Sequence, residues 1–313
     1  MADTEALAGR VLSHRLRGFD RRESTRRGLE LGLKAGIRHA EFDVRVTRDG
    51  HPIAYHDPFF RADDGTWQYI DEWDLAALRG QQSLSPLATL EDMCACFGEF
   101  GRPDSFLHVD VKVGGQEALI RDTIDRFGLL AHIVLVSWLP DVLVRFHAVS
   151  PDTRLCFSHL PVAGGWYGFA KAIGPLLEGM EPILSFVLRP IAPHLSNETL
   201  TVRLHFHDNG DPAGGGEDDE APRCNHGHVV PGMLTGVMLD LLRRTDGLVC
   251  VPVPLATRTL VSRYRSQGIQ TAVYSVASVR AFDGVIERLD PDIVYVDDGA
   301  AIRRILQPNA LRA

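Results

Sequence analysis

The sequence predicts an α/β fold, a (β/α)8 TIM barrel with a long insertion between strands five and six. The length of 313 residues fits one barrel of this kind. Short apolar segments recur eight times along the chain, and longer segments with helical spacing lie between several of them. A doubly wound open sheet is the alternative that the same alternation allows.

Eight short apolar segments are predicted to form the barrel strands. They are Arg10–Leu16, Ala40–Val46, Phe106–Lys112, Ile133–Trp138, Arg154–His159, Leu248–Val253, Thr271–Val276 and Ile293–Asp297. Helices are predicted between them at Ser24–Ala35, Leu90–Phe97, Gln116–Phe127 and Val142–Ala148. We predict that the whole chain, residues 1–313, forms one domain.

Residues 160–246 interrupt this rhythm, because they are far longer than an ordinary barrel connection. Asn209–Ala221 is acidic and rich in glycine, which predicts a mobile surface loop. Met233–Leu242 is apolar enough to be the barrel helix that precedes strand six. The interruption is therefore predicted to be an insertion into the barrel.

Histidine, aspartate and cysteine side chains, which can bind metals, occur together in the insertion, and two cysteines lie close in sequence outside it. The insertion contains His205, His207, Asp208, Cys224, His226 and His228. Their spacings match no zinc module, so we expect a loop that contains histidines. The five cysteines of the chain are scattered and odd in number, which does not predict disulfides. Cys94 and Cys96 lie in a helix-like stretch without a second pair, so we expect them to pack in the core.

The composition is that of an ordinary globular protein, with 45% hydrophobic and 24% charged residues. The formal charge of −8 argues against a nucleic acid or an anionic membrane surface as partner, since either favours a basic face. No segment approaches the ~20 apolar residues of a membrane span, and the first residues show no secretory signal. We therefore expect a cytoplasmic, reduced protein. No pattern predicts an oligomeric state.

Charged side chains lie in or at the ends of the first three predicted strands. They are His14 and Arg15 in the first strand, Glu41 and Asp43 in the second, and Asp110 and Lys112 in the third. The two-residue period of a strand puts each pair of the second and third strands on one face, and barrel sites lie at the carboxyl ends. Three converging carboxylates repel one another when they are desolvated, which predicts a divalent cation. Oxygen ligands suit Mg²⁺ or Ca²⁺.

The turn at residues 48–50 predicts a hairpin that returns His56 and Asp57 to the same rim. His14 and His56 would then flank the metal, and Asp57 either orients His56 or caps a turn. This set suits cleavage of a small phosphodiester. One imidazole removes a proton from the attacking oxygen, the other protonates the leaving alkoxide, and the cations neutralise phosphoryl charge.

These motifs resemble the glycerophosphodiester phosphodiesterase family, whose signature is HR, then ExD, then HD. Here those motifs are His14-Arg15, Glu41-Phe42-Asp43 and His56-Asp57. Further matches are Arg22–Thr25 to the family's PENT motif, Thr47–Gly50 to its TxDG turn, Pro86–Asp92 to its P-x-L-E-E segment and Val296–Asp298 to its acidic late strand. The resemblance spans almost the whole chain except residues 160–246.

The resemblance implies a role for each matched residue. His14 and His56 correspond to the acid/base pair, Glu41 and Asp43 to metal ligands, and Arg15 and Lys112 to phosphate contacts. Asp110 stands at a family glutamate and is similar to the third ligand of the related sphingomyelinase D toxins. Tyr274, in the family's W-T-V-N segment, and His159, at the end of the fifth predicted strand, are candidates for substrate contact, with core packing as the alternative.

Three departures from the family leave the substrate open. The glycine of its HRG motif is Leu16, the asparagine of its ENT motif is Ser24, and its W-T-V-N segment is Tyr274–Ala277. The leading hypothesis is hydrolysis of a glycerophosphodiester to an alcohol and glycerol phosphate. A phospholipase D-like or sphingomyelinase D-like enzyme on lysolipids, or an enzyme on a sugar phosphodiester, is the second. A barrel that binds a phosphodiester without cleaving it is the third.

Overall fold

The strands of the chain follow one another as a barrel series with an added hairpin and an inserted sheet. The computed structural model describes residues 7–178, 202–208, 210–211 and 225–307. The described strands are β1 (Val11–Ser13), β2 (His39–Val46), β3 (Pro52–Ala54), β4 (Phe59–Arg61), β5 (Trp67–Tyr69), β6 (Phe106–Val111), β7 (Ile133–Ser137), β8 (Arg154–Ser158), β9 (Leu160–Val162), β10 (Val202–Phe206), β11 (Asn225–Pro231), β12 (Leu248–Pro252), β13 (Gln270–Val276) and β14 (Ile293–Val296).

Eight of these strands close into a parallel barrel. Their order is β1, β14, β13, β12, β8, β7, β6 and β2, and the pairing of β1 with β2 closes the ring. All eight predicted barrel strands are confirmed, and an open sheet is wrong because β1 pairs on both sides. The first strand is shorter than predicted, since it ends at Ser13 and His14–Leu16 form a single 3-10 turn.

Helices connect most of the barrel strands. The described helices are α1 (Arg26–Lys34), α2 (Leu75–Arg79), α3 (Leu90–Phe100), α4 (Glu117–Asp125), α5 (Pro140–Val149), α6 (Gly164–Glu178), α7 (Gly236–Arg244), α8 (Arg258–Ser266), α9 (Val279–Leu289) and α10 (Gly299–Leu306). Local capping fixes where several of them begin, and two examples show how. The Thr25 hydroxyl accepts from the Gly28 amide at α1, and Thr89 with Asp92 forms a reciprocal capping box at α3.

Strand alternation divides the core into two layers. Leu12, Cys156 and Tyr295 belong to the cluster that fills the barrel interior. Phe157 belongs to the larger cluster between the strands and the helices. The four described cysteines are free and buried, which confirms packing roles for Cys94 and Cys96. Among the described residues, no helix is both long and apolar enough to cross a bilayer.

The insertion lies between the fifth barrel strand, β8, and the sixth, β12, as the sequence predicts. Its described part contains α6 and a parallel sheet in the order β10, β11, β9. The helix before strand six, predicted at Met233–Leu242, is α7. The predicted loop Asn209–Ala221 lies almost entirely outside the described residues.

Three of the four insertion histidines lie on strands and His207 directly follows β10, so the expectation of a loop is wrong for those three. His226 and His228 are two apart on β11, so strand periodicity puts both on one face, and His205 of β10 has the same spacing from His207, which follows that strand. Histidine nitrogens meet across the strands, at 2.9 Å from His205 Nε2 to His226 Nδ1 and 2.7 Å from His207 Nε2 to His228 Nδ1. Cys224 lies outside the described residues.

His159, which follows β8, packs on the outside of the barrel. Cys156 points inward and Phe157 outward, and strand parity therefore places His159 with Phe157, whose ring stacks on it. The Nε2 atom of His159 lies 3.0 Å from the Tyr264 hydroxyl of α8. Burial lowers the pKa of His159 to about 3.

The buried His159 predicts an acid-sensitive fold. Its pKa is lower in the folded chain than the ordinary 6.5, so the unfolded chain binds the proton first as pH falls. The contribution of the neutral His159 ring to the free energy of unfolding is fully present above pH 6.5 and is lost as pH falls towards 3. We expect this group to cost about 3 kcal/mol of unfolding free energy by pH ~4.5.

Urea unfolding between pH 7 and 4.5 measures this loss. His159→Gln keeps a polar partner for Tyr264 and should make the decline less steep. His51→Gln, at an exposed histidine, is the control. Equal slopes for the wild type and His159→Gln would contradict the prediction.

Candidate active site

Three carboxylates meet at the carboxyl ends of β2 and β6. Glu41 and Asp43 occupy alternate positions of β2, and Asp110 pairs with Asp43 in the parallel register of β6. One oxygen from each of the three lies within 4.8 Å of the other two, and all three residues are buried. Among the described residues, this is the one group of His, Cys, Asp or Glu side chains that offers three such ligand atoms.

Two cations balance part of this negative charge. Lys112 Nζ lies 2.6 Å from Asp110 Oδ2 and 3.0 Å from Asp43 Oδ1. Arg15 Nε lies 3.1 Å from Asp43 Oδ2, and the Arg15 amide donates to Glu41 Oε2 at 2.8 Å. Burial disfavours the ionised form of Asp43, but Lys112 and Arg15 outweigh burial and hold its pKa well below the ordinary value.

The ionised form of Glu41 is disfavoured within the cluster. Burial, followed by repulsion from Asp43 and Asp110, raises the pKa of Glu41 well above its ordinary value. Asp110 Oδ1 is buried without a hydrogen-bond partner among the described residues, and Asp43 Oδ2 has the ion pair with Arg15 Nε. Buried carboxylate oxygens without donors are the ligands that a hard divalent cation takes. The donor set therefore fits such a cation.

His14 follows the first strand and leans over this cluster. The sequence places His14 and Arg15 at the end of that strand. This is wrong, because Arg15 and Leu16 have positive φ angles of 52° and 57° and turn the chain. The turn leaves His14 Nδ1 2.7 Å from Asp297 Oδ1 and His14 Nε2 3.8 Å from Glu41 Oε2. A carboxylate at Nδ1 fixes the ring so that Nε2 faces the carboxylates.

His56 reaches the site on the predicted hairpin. β3 runs antiparallel to β2, with Val44 opposite Ala54, and Tyr55 continues the pairing by donating to the Asp43 carbonyl at 3.0 Å. His56 Nδ1 lies 2.7 Å from Asp57 Oδ1. Of the two roles open for Asp57, the structure therefore shows it bonded to the imidazole. Both site histidines thus have a carboxylate at Nδ1.

Burial keeps both imidazoles neutral. It lowers the pKa of His14 to about 4, although Asp297 opposes the shift. Burial, with the charge of Arg15, also lowers the pKa of His56, while Asp43 and Asp57 oppose it. A neutral imidazole is the form that accepts a proton.

The sequence did not reveal the ionic chain that supports His14. Glu23 bridges two arginines, with Oε1 3.3 Å from Arg15 Nη1 and Oε2 2.6 Å from Arg17 Nε. Arg17 Nη1 in turn lies 2.9 Å from Asp297 Oδ1. The Ser275 hydroxyl donates to the other oxygen, Asp297 Oδ2. The signal in the sequence is the acidic residue Asp297, which directly follows the last barrel strand and matches the family's acidic late strand.

Two glycines allow the ends of the chain to approach and bring Asp297 to His14. The Gly299 amide donates to the Arg17 carbonyl at 2.9 Å. A Cβ at Gly299 would lie 2.7 Å from the Gly18 carbonyl carbon, closer than side chains pack. Gly18 itself has a φ of +75°. The contact between the His14 turn and the start of α10 therefore requires both glycines.

The two candidates for substrate contact lie in different layers. The centroid of the half-buried Tyr274 ring lies 6.0 Å from that of Trp138 and 6.4 Å from that of Tyr295. The Tyr295 ring centroid in turn lies 5.5 Å from that of His14. Tyr274 is thus joined to the site through one aromatic neighbour. His159 is not brought to the site, since it faces Tyr264 outside the barrel.

Residues 12–138, less than half of the chain, match the glycerophosphoryl diester phosphodiesterase family. No curated protein matches the chain significantly.

Solved structures show the same fold over nearly the whole chain. A protein from Silicibacter pomeroyi, provisionally named a glycerophosphoryl diester phosphodiesterase, has a TM-score of 0.63 at 15% identity and covers 98% of this chain and 97% of its own. A glycerophosphodiester phosphodiesterase from Parabacteroides distasonis has a TM-score of 0.58 at 15% identity, and the match covers 96% of this chain and 98% of that protein.

An Oleispira antarctica phosphodiesterase, solved with its product sn-glycerol-3-phosphate, has a TM-score of 0.59 at 15% identity. The match covers 95% of this chain and 96% of that protein. At this identity these likenesses show the fold alone. The family match, in contrast, contains the segments that carry Glu41, Asp43, Asp110 and both site histidines. Residues 12–138 of the chain are therefore similar to the glycerophosphoryl diester phosphodiesterase family, and nearly the whole chain shares the TIM-barrel fold of the solved structures.

Proposed function

We propose that this chain is a metal-dependent phosphodiesterase that hydrolyses a glycerophosphodiester to an alcohol and glycerol phosphate. The observation that carries the proposal is the pair of carboxylate-oriented histidines, His14 and His56, beside a buried three-carboxylate cluster. The family match supports the reaction class. The glycerol phosphate product of the Oleispira antarctica structure supports the substrate class.

Glu41, Asp43 and Asp110 would hold the cation, and their oxygen atoms favour Mg²⁺ or Ca²⁺. When bound, such a cation neutralises charge on the phosphoryl oxygens. Lys112 adds a fixed positive charge beside it. Burial opposes protonation of Lys112, but Asp110 and Asp43 raise its pKa, so the ammonium stays charged. Lys112 and Arg15 then bind the phosphate.

The two histidines divide the proton transfers. One imidazole accepts the proton of the attacking hydroxyl, and the other, once protonated, delivers a proton to the leaving alkoxide. We infer that a glycerol hydroxyl attacks first, because its proximity to phosphorus gives it an advantage over water. The bond from phosphorus to the alcohol oxygen then breaks, leaving a cyclic phosphate that water opens.

One observation favours a lysolipid as the second candidate substrate. Trp166 and Phe169 of α6 are 66% and 58% exposed, and their rings contact each other at 6.0 Å. The insertion that carries them begins beyond the carboxyl end of β8, the barrel face on which active sites lie. An apolar pair on this side suits an acyl chain.

The carboxylate cluster predicts stabilisation by a divalent cation. At a free concentration of ~100 times its dissociation constant, a bound cation adds about 2.7 kcal/mol to the unfolding free energy. For a chain of this size we expect Mg²⁺ or Ca²⁺ to raise Tm by roughly 5 °C or more. Thermal unfolding with each cation and with EDTA measures the shift.

Asp110→Asn should remove most of this shift. Glu91→Gln, at an exposed residue paired with Arg126, should retain it. A wild-type Tm that neither cation changes would contradict a metal site in these residues.

Turnover of a phosphodiester panel identifies the substrate. We expect release of glycerol phosphate from glycerophosphocholine, loss of activity with EDTA and recovery with excess Mg²⁺ or Ca²⁺. A preference for lysophosphatidylcholine that Trp166→Ser reduces would favour the lipid candidate instead. Cation binding without any turnover would leave a phosphodiester-binding barrel and overturn the proposed reaction.

His14→Ala and His56→Ala should each lower kcat by about a thousandfold, because each removes one proton transfer. Far-ultraviolet circular dichroism should show an intact fold. His51→Gln, at an exposed histidine of the β2–β3 turn, should keep wild-type kcat. Activity retained in either site variant would sink the two-histidine assignment.

A further inference from the structure

Arg45 is the third inward-facing charge of β2, after Glu41 and Asp43. It follows them at the two-residue period of the strand. Arg45 heads the fully buried side chains of the structure by volume. A guanidinium removed from water needs hydrogen-bond acceptors, so its partners decide what it does.

The guanidinium joins two segments that are distant in sequence. Arg45 Nε donates to the His56 carbonyl at 2.7 Å, and Arg45 Nη2 donates to Asn225 Oδ1 at 3.0 Å. The planar group holds these donors in a fixed relation. The position of Asn225 therefore influences where the Nε–H bond points.

The first of these bonds fixes the backbone of His56. The imidazole is held by Asp57 at Nδ1, and the preceding residue, Tyr55, is held by the Asp43 carbonyl. The Arg45 bond adds the carbonyl of His56 itself. Backbone and ring are thus fixed by separate groups, which leaves the imidazole little freedom to turn.

The second bond leads into the insertion. Asn225 is the first residue of β11, which pairs with both β9 and β10. β9 begins two residues after the end of the barrel strand β8. The inserted sheet is therefore connected to the His56 hairpin by a side-chain contact as well as through the chain.

We propose that Arg45 is a positioning residue that couples the inserted sheet to His56, with Asn225 holding the guanidinium in the orientation that fixes the His56 carbonyl. The effect on catalysis rests on the proposed phosphodiesterase function. The coupling itself does not. A charge-assisted hydrogen bond of this kind is stronger than a neutral one, and it is sheltered here from water.

Asn225→Leu tests the coupling, because it removes the acceptor with little change in side-chain volume. We expect kcat for glycerophosphocholine to fall about tenfold with KM within about twofold, since a small displacement of a catalytic group lowers kcat. Asn225→Asp keeps an oxygen acceptor and should retain more than about half of wild-type kcat.

Amide hydrogen exchange gives a readout that does not depend on turnover. In Asn225→Leu, residues 52–58 should exchange about tenfold faster, because the hairpin loses a fixed hydrogen bond and opens more often. Lys171→Ala is the matched control. It removes an ion pair with Asp208 inside the insertion and does not touch Arg45, so exchange at 52–58 and kcat should stay unchanged.

Unchanged exchange at residues 52–58 in Asn225→Leu overturns the proposal. A raised KM with unchanged kcat and exchange also overturns it, since that result indicates that Arg45 contacts the phosphate directly. A wild-type protein without phosphodiesterase activity, but with faster exchange in Asn225→Leu, refutes the proposed function and supports the coupling.

Discussion

Three carboxylates buried within 4.8 Å of one another repel, and the site around them is arranged to balance that repulsion. Lys112 lies between Asp43 and Asp110, and Arg15 lies on the far side of Asp43. Glu41 accepts only a backbone amide from this set, and burial, with repulsion from Asp43 and Asp110, raises its pKa. A hard divalent cation is the group whose charge would complete the balance.

The two histidines do not compete with the cation for these carboxylates. Asp297 holds His14 and Asp57 holds His56, and neither aspartate belongs to the buried cluster. The carboxylates of the site are thus divided between charge balance and ring orientation. Burial lowers the pKa of both imidazoles, although the aspartates at Nδ1 oppose this shift.

The turn that delivers His14 is strained, and packing compensates for the strain. Arg15, Leu16 and Ser24 all have positive φ angles, a conformation that favours glycine and asparagine. The family has glycine and asparagine at the positions of Leu16 and Ser24, so the departures fall where the backbone conformation matters. Leu16 is fully buried, and burying its side chain contributes about 2 kcal/mol, comparable to the cost of a left-handed residue. The Ser24 amide donates to the Arg15 carbonyl at 2.7 Å.

The sequence by itself determined the barrel and the identity of the central charged residues. The patterns that indicate both are local, so they can be recognised without knowledge of the fold. They are the strand period, the number of strands and the spacing of the HR, ExD and HD motifs. The eight strands, the insertion point and the hairpin follow from them. What the sequence could not determine is which side chains meet where the carboxyl ends of these strands come together.

Only the tertiary structure decided the partners of the site. Closure of β14 against β1 brings Asp297 to His14 across almost the whole chain, and two glycines permit that approach. Strand parity sends His159 outward, although its place at the end of a barrel strand suggested the site. The Arg45 contact with Asn225 likewise joins residues 180 positions apart. The local pattern determined which residue types stand at the barrel mouth, and ring closure determined their partners, because a side chain's neighbours depend on strand order and not on sequence distance.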